Sequence, residues 1–135
     1  GRLFTYTAHM GVVPHVWLFQ RVHLAVHHTG AGTAQTALNA GIPSVTIPIW
    51  GDQFYWAACI HRLGAGPAPV PLYCLRDKDQ FLDLVSGAMD NLMHYSHGAK
   101  LVSSDMRFED GQRSAAQKIL QFARQASSTR PRQEK

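Results

Sequence analysis

His27-His28-Thr29-Gly30-Ala31-Gly32-Thr33-Ala34 follows the apolar run Leu24-Ala25-Val26 and leads into Ala34-Gln35-Thr36-Ala37-Leu38-Asn39-Ala40, a segment with helical spacing that stops at Gly41. It reads as strand, tight polar turn, helix. Two glycines let a backbone approach a ligand closely. A helix N-terminus offers unpaired N–H groups and a partial positive charge. Together these make a seat for a phosphate. The other reading of the turn alone is a Gly-rich βα connection with no ligand. A P-loop is excluded because no Lys is near, and the dinucleotide pattern GxGxxG fails at Gln35.

The same alternation continues downstream. Ser44-Val45-Thr46-Ile47-Pro48-Ile49 reads as a central, parallel strand, with Pro43 before it and Pro48 near its end. Trp50-Gly51-Asp52 is a turn, and Asp52 can N-cap a helix over 53–63 that closes at Gly64. Residues 66–71 are Pro-rich and expected as a short strand or extended edge piece. Upstream, 3–7 and 23–27 read as strands, and 15–19 as one or two helical turns anchored by Trp17, Leu18 and Phe19. Three helices are expected at the end, over 77–90, 93–106 and 112–125. The first should turn Phe81, Leu82, Leu84, Val85 and Met89 inward. The sum is an α/β fold with a parallel sheet and crossover helices. Ligands of such sheets bind at the carboxyl ends of the strands, so the turns at 28–33 and 50–53 should line one crevice.

Composition narrows the functions. With 135 residues and 45% hydrophobic content, the chain suits one domain with a real core. Its net charge of +4 is mostly a tail effect, since residues 124–135 hold four basic groups against one acid. No basic stripe with interleaved aromatics occurs, so nucleic acid is not an expected partner. The basic tail is read as solvated. Cys59 and Cys74 form no metal or redox motif, which fits a reduced, cytoplasmic setting better than a disulfide framework. No apolar run is long enough to span a membrane. A chain that opens on Gly1 is expected to be a piece of a longer protein.

Two side-chain groups carry candidate chemistry. His28, just before the phosphate turn, can donate to a diphosphate oxygen; alternatively it is a structural residue at a strand end. His27 alternates to the other side and reads as structural. Zinc at His23, His27 and His28 is not expected, because no Cys or acid nearby completes a ligand set. Asp52 and Gln53 side by side can accept from and donate to the hydroxyls of one sugar ring, or serve only as cap and surface residue. Trp50 can pack on a sugar face or bury in the core, while Phe54, Tyr55 and Trp56 read as packing residues.

The run Val13-Pro14-His15, His27–Thr33, Ala40-Gly41-Ile42-Pro43 and Pro48-Ile49-Trp50-Gly51-Asp52-Gln53 resembles the donor-binding signature of family 1 UDP-sugar glycosyltransferases. Within that family it is similar to sterol glucosyltransferases and to antibiotic glycosyltransferases of the erythromycin type. Leu63-Gly64-Ala65-Gly66-Pro67 and Glu109-Asp110-Gly111 fall where the family has similar short motifs. The resemblance covers residues 10–123.

It implies a GT-B fold, of which this chain would be a Rossmann-like, N-terminally truncated part of the C-terminal half. Residues 1–125 would form the nucleotide-sugar-binding domain and 126–135 a disordered tail. It further implies that His28, Gly30, Gly32 and Thr33 hold the UDP diphosphate. The loop Val13-Pro14-His15 would hold the base, and Trp50, Asp52 and Gln53 the sugar. No metal and no cofactor are expected, the UDP-sugar being the donor substrate. The catalytic base lies in the family's N-terminal, acceptor-binding domain, so no catalytic residue is expected in this chain and a partner domain or subunit is. The complete protein would transfer a hexose, by expectation glucose, to a sterol, lipid or other small hydroxyl acceptor. The alternatives are a non-catalytic donor-binding subunit of a split enzyme and a decayed fragment.

The chain departs from the family pattern at three places. The base-stacking Trp of plant members is Val12 here, with His15 in place of their Gln. The ribose-binding Glu found in many members is Thr36. Where the usual turn has Gly, this chain has Thr29, which is comfortable only if the backbone there keeps a negative φ.

Overall fold

The computed structural model describes residues 13–128. The strand expected over 3–7 therefore lies outside the described residues. In order, the elements are α1 (His15–Phe19), β1 (Ala25–His27), α2 (Ala31–Asn39), β2 (Ser44–Thr46), α3 (Gln53–Arg62), α4 (Lys78–Asp90), α5 (Leu92–Met106) and α6 (Gly111–Ser128), with a 3-10 turn at Leu72–Cys74. The expected alternation of strand and helix is present, and each strand is shorter than the span expected for it, 23–27 and 44–49.

β1 and β2 pair in parallel, with Ala25 opposite Ser44, Val26 opposite Val45 and His27 opposite Thr46. The ladder extends one step on, where Ile47 N donates to His27 O at 2.9 Å. On its other side β2 exchanges bonds with the Pro-rich segment: Ser44 N to Ala65 O (2.9 Å), Val70 N to Thr46 O (3.2 Å) and Leu72 N to Pro48 O (3.0 Å). This segment is the expected extended edge piece, and β2 is indeed flanked on both sides. Pro48 falls just past the strand, where only its carbonyl is needed.

α2 lies at the centre of the helical layer, packed against α1, α3 and α5. Ala34, Leu38, Ile60, Ala65 and Ala99 form one buried cluster with Trp56, Val102 and Met106 around it. Phe19, Ala25 and Ala37 form a second under α1. Small residues dominate both, so backbones approach closely. A Cβ added at Gly66 would run into the Ser44 carbonyl, and one at Gly98 into the Gly64 carbonyl. Ser103 Oγ donates to Asn39 O at 2.7 Å and pins α5 to the end of α2. That end is closed by Gly41 at φ +68°, as its position after the helix requires.

The later helices form where the pattern puts them, but they bury less than it implies. In α4 only Ala88 is buried, while Phe81, Leu82 and Met89 are exposed. An amphipathic stripe fixes which face is apolar, not that something covers it. α6 continues to Ser128, three residues into the expected tail, and its side chains are exposed over residues 111–126. Cys59 and Cys74 are free thiols. Among the described residues, no helix is long and apolar enough to cross a membrane.

Candidate functional site

Because β1 and β2 are parallel and adjacent, the turns that follow them leave the same end of the sheet. The first turn runs from His28 to Gly30, which is the N-cap of α2 at φ −60° and ψ 144°. The helix starts at Ala31, two residues earlier than the span 33–40 expected from the sequence. Gly32 and Thr33 therefore sit in its first turn, not in the preceding loop. The first i to i−4 bond is Ala34 N to Gly30 O (2.9 Å). It leaves the amides of Ala31, Gly32 and Thr33 at the end of the helix as donors for a ligand.

Each residue of this turn has a distinct constraint. A Cβ on Gly30 would stand 3.0 Å from His28 Nε2, so the glycine leaves room for the imidazole to lie across the turn. Among the described residues, a Cβ on Gly32 would meet nothing within 4 Å, so none of them requires that glycine. Thr29 is the surprise. Its φ is +68°, in the left-handed region that a β-branched residue rarely enters. The condition under which Thr would sit here comfortably, a negative φ, is thus not met. The turn needs this geometry to swing from β1 into α2, and Thr29 accepts it while wholly buried, with its N–H bonded to His27 Nδ1 at 3.1 Å.

His27 is half-buried, and burial, with like charge from His28 and His15, pushes its pKa down to about 4. Among the described residues its Nε2 has no partner, and neither do the buried hydroxyls of Thr29, Ser44 and Thr46.

The second turn is built differently. Gly51 takes φ +64°, and Gln53 opens α3 with its side chain turned back and buried. Its Oε1 accepts from the amides of Ile49 (2.8 Å) and Trp50 (3.2 Å). Those donors fix the amide orientation and leave the NH2 group as the donor for a ligand. Asp52 occupies the N-cap position but makes no capping bond; its Oδ2 accepts from Trp56 Nε1 at 3.1 Å. Trp50 is 73% exposed, which decides against burial in the core. Phe54 and Tyr55 also face outward, contrary to their reading as packing residues, and only Trp56 packs on the core.

Beside β1 a cavity of about 410 Å³ is lined by His15, Phe19, Val22, His27, His28 and Thr33, among others. Its size suits part of a nucleotide. It brings His15 of the expected base loop together with His28 and Thr33 of the turn. Val13 and Pro14 are outside its lining, as are Trp50, Asp52 and Gln53. Pro14 N-caps α1, its carbonyl accepting from Trp17 and Leu18 (both 3.1 Å), and the His15 ring stacks on Phe19 with centroids 5.3 Å apart. Thr36 Oγ1 donates back to Gly32 O at 2.7 Å. Among the described residues no group of three His, Cys, Asp or Glu is placed to hold a metal.

His27 takes the structural part read for it, as a brace for the Thr29 amide, whereas the bracing role of Gln53 was missed. The spacing held a signal for the latter: Gln53 lies at the first helical position, four residues after the amide it receives.

Residues 7–120 match the family model described as erythromycin biosynthesis protein CIII-like, C-terminal domain. A sterol 3-beta-glucosyltransferase of Arabidopsis thaliana is 51% identical over 59 residues, which are 44% of this chain and 10% of that protein. The Candida albicans sterol 3-beta-glucosyltransferase is 39% identical over 117 residues, 84% of this chain and 7% of that one. The chain thus spans only a small part of the length of these relatives. Among solved structures, spinosyn rhamnosyltransferase in complex with thymidine diphosphate superposes with a TM-score of 0.63 at 27% identity, over 70% of this chain and 25% of that one. Spinosyn forosaminyltransferase has the same fold over 90% of this chain and 32% of its own, with a TM-score of 0.72 at 19% identity.

Proposed function

Since this chain belongs to the erythromycin CIII-like C-terminal domain family of glycosyltransferases, we propose that it is the donor-binding domain of a UDP-sugar-dependent hexosyltransferase. The observation that carries the proposal is the pairing of the two turns at one end of parallel strands. One presents helix amides beside an imidazole, and the other an amide NH2 beside a carboxylate.

In this reading the amides of Ala31, Gly32 and Thr33 and the ring of His28 hold the diphosphate. Helix-end donors offset its charge and stabilise the nucleotide as a leaving group. The cavity beside β1, with His15 at its edge, takes the nucleoside. Support for a nucleoside diphosphate comes from the related rhamnosyltransferase, whose structure holds thymidine diphosphate. Asp52 accepts from hydroxyls of the transferred sugar, Gln53 donates to them through Nε2, and Trp50 covers a sugar face. Glucose as the sugar and a sterol-like hydroxyl as the acceptor are the choices favoured by the sterol glucosyltransferase relatives. Acceptor binding and the catalytic base are assigned to another domain or subunit. No metal or cofactor enters, because helix-end donors and His28 take the place of a cation at the diphosphate.

Titration calorimetry with UDP and UDP-glucose tests the two turns separately. His28→Ala should weaken both ligands by about tenfold, the scale of one charge-assisted hydrogen bond. Asp52→Ala should remove the extra affinity of UDP-glucose over UDP and leave UDP unchanged. Wild-type affinities in both variants would overturn the assignment.

A further inference from the structure

His27 is a half-buried polar side chain that the donor site leaves unexplained. It ends β1 and lies two residues before the strained point of the phosphate turn. Its Nδ1 accepts the Thr29 N–H at 3.1 Å, while its Nε2 is shut off from solvent. A backbone N–H can only donate, so Nδ1 must carry the lone pair and the ring proton must sit on Nε2. Thr29 is held at φ +68° and is wholly buried. Its hydroxyl is without a partner, so among the described residues the bond to His27 is the only hydrogen bond that Thr29 makes.

A left-handed β-branched residue persists only where its surroundings over-determine it. We infer that His27 is a positioning residue: by accepting the Thr29 amide proton, its neutral ring locks the left-handed turn and so aims the first amides of α2 and the ring of His28 at the bound anion.

His27 lines the cavity but offers the donor no hydrogen bond, since its free nitrogen is shut off from solvent. The element contacts agree with this role. Thr46 stands opposite on β2, Thr33 shares the cavity from α2, and the titratable side chains that face His27 are His15 from α1 and His28 from the turn. The functional half of the inference rests on the diphosphate reading of the turn. The structural half does not.

The test compares the full chain with His27→Asn and His27→Leu. An Asn Oδ1 can stand in for Nδ1 as acceptor, and Leu cannot. Two quantities are read: hydrogen exchange of the Thr29 amide, and affinity for UDP. In His27→Leu the Thr29 amide should exchange at least about tenfold faster and UDP should bind about tenfold more weakly, the scale of one hydrogen bond. His27→Asn should return both to within about threefold of wild type.

Unchanged Thr29 exchange in His27→Leu overturns the inference. Equal loss in the Asn and Leu variants also overturns it, because that outcome reports packing of the ring and not its acceptor. If His27→Leu does not fold, the Asn variant decides: protection of Thr29 kept supports the inference, and protection lost overturns it. If wild type fails to bind UDP while Thr29 exchange still follows the Leu and Asn pattern, the donor reading falls and the locking of the turn stands.

Discussion

After β1 the chain turns on a buried, strained threonine; after β2 it turns on an exposed glycine and a buried glutamine. Among the described residues the first turn keeps its helix-end amides free, and it is braced from behind by His27. The second consumes its own donors, since the Ile49 and Trp50 amides both go to Gln53 Oε1. A site for a charged, rigid group benefits from donors that stay unpaired until the ligand arrives. A site for a sugar needs side chains that both accept and donate, on a loop that holds itself. On the proposed assignment, the same strand–turn–helix plan yields two different recognition surfaces. What separates them is where each spends its backbone N–H groups.

Acid should break the symmetry most strongly. The folded pKa of His27 is depressed from 6.5 to about 4. Between those values the unfolded chain takes a proton that the folded chain refuses. Stability that is fully present above pH 6.5 is therefore lost as pH falls towards 4. A shift of this size corresponds to at most about 3 kcal/mol. The second turn hangs on an amide, which does not titrate. Urea unfolding at pH 7 and pH 4.5 should show the loss in wild type and a markedly smaller one in His27→Asn. An equal loss in both would remove His27 as the cause.

Gln53 tests the other turn. Gln53→Leu leaves two part-buried backbone donors without their acceptor and should cost about 2 kcal/mol in denaturant unfolding. Gln53→Glu keeps an acceptor but loses the NH2 group. It should stay within about 1 kcal/mol of wild type while losing the preference for UDP-glucose over UDP. If Gln53→Leu were as stable as wild type, the bracing role would fall.

How much of this could be seen in the residues alone follows the same division. The strand–turn–helix alternation, the parallel sheet and the shared end of both turns were legible, because apolar runs, glycine stops and proline positions act locally. His28, Gly30, Gly32, Asp52 and Gln53 were singled out by residue type and by the resemblance; what the structure adds is that the turns carrying them leave one end of the sheet. The sign of φ at Thr29 was not legible, because it depends on how β1 must bend into α2. Nor was the inward turn of Gln53, or the outward turn of Phe54 and Tyr55, since one apolar run can face either core or solvent. The exposed stripe of α6 shows the same limit: Ile119, Leu120 and Phe122 mark an apolar face, and nothing local says what lies against it.

Gly32 separates folding from binding within the first turn. The added Cβ of Gly32→Ala meets nothing among the described residues and improves helix propensity, so stability should rise by about 0.5–1 kcal/mol. The same methyl would stand where a phosphate approaches the amides, and UDP should bind about tenfold more weakly. Thermal unfolding and calorimetry on one sample read both effects. A variant that gains stability and keeps full UDP affinity would move the diphosphate away from this turn.

The smallest effect is expected where the second turn meets α3. Trp56 Nε1 donates to Asp52 Oδ2, an exposed contact one helical turn apart. Trp56→Phe removes that donor and keeps most of the apolar body against the cluster of Ala34, Leu38 and Ile60. The lost hydrogen bond should cost less than about 1 kcal/mol, because water replaces the indole at an exposed carboxylate. Its consequence for recognition differs in kind. The indole holds one Asp52 oxygen and so orients the other; without it the carboxylate samples several rotamers and loses part of its pre-organisation. UDP-glucose should then weaken by about twofold to threefold, with UDP unchanged. A parallel weakening of UDP would mean that the two turns are coupled, and that the second reaches the diphosphate through more than the sugar.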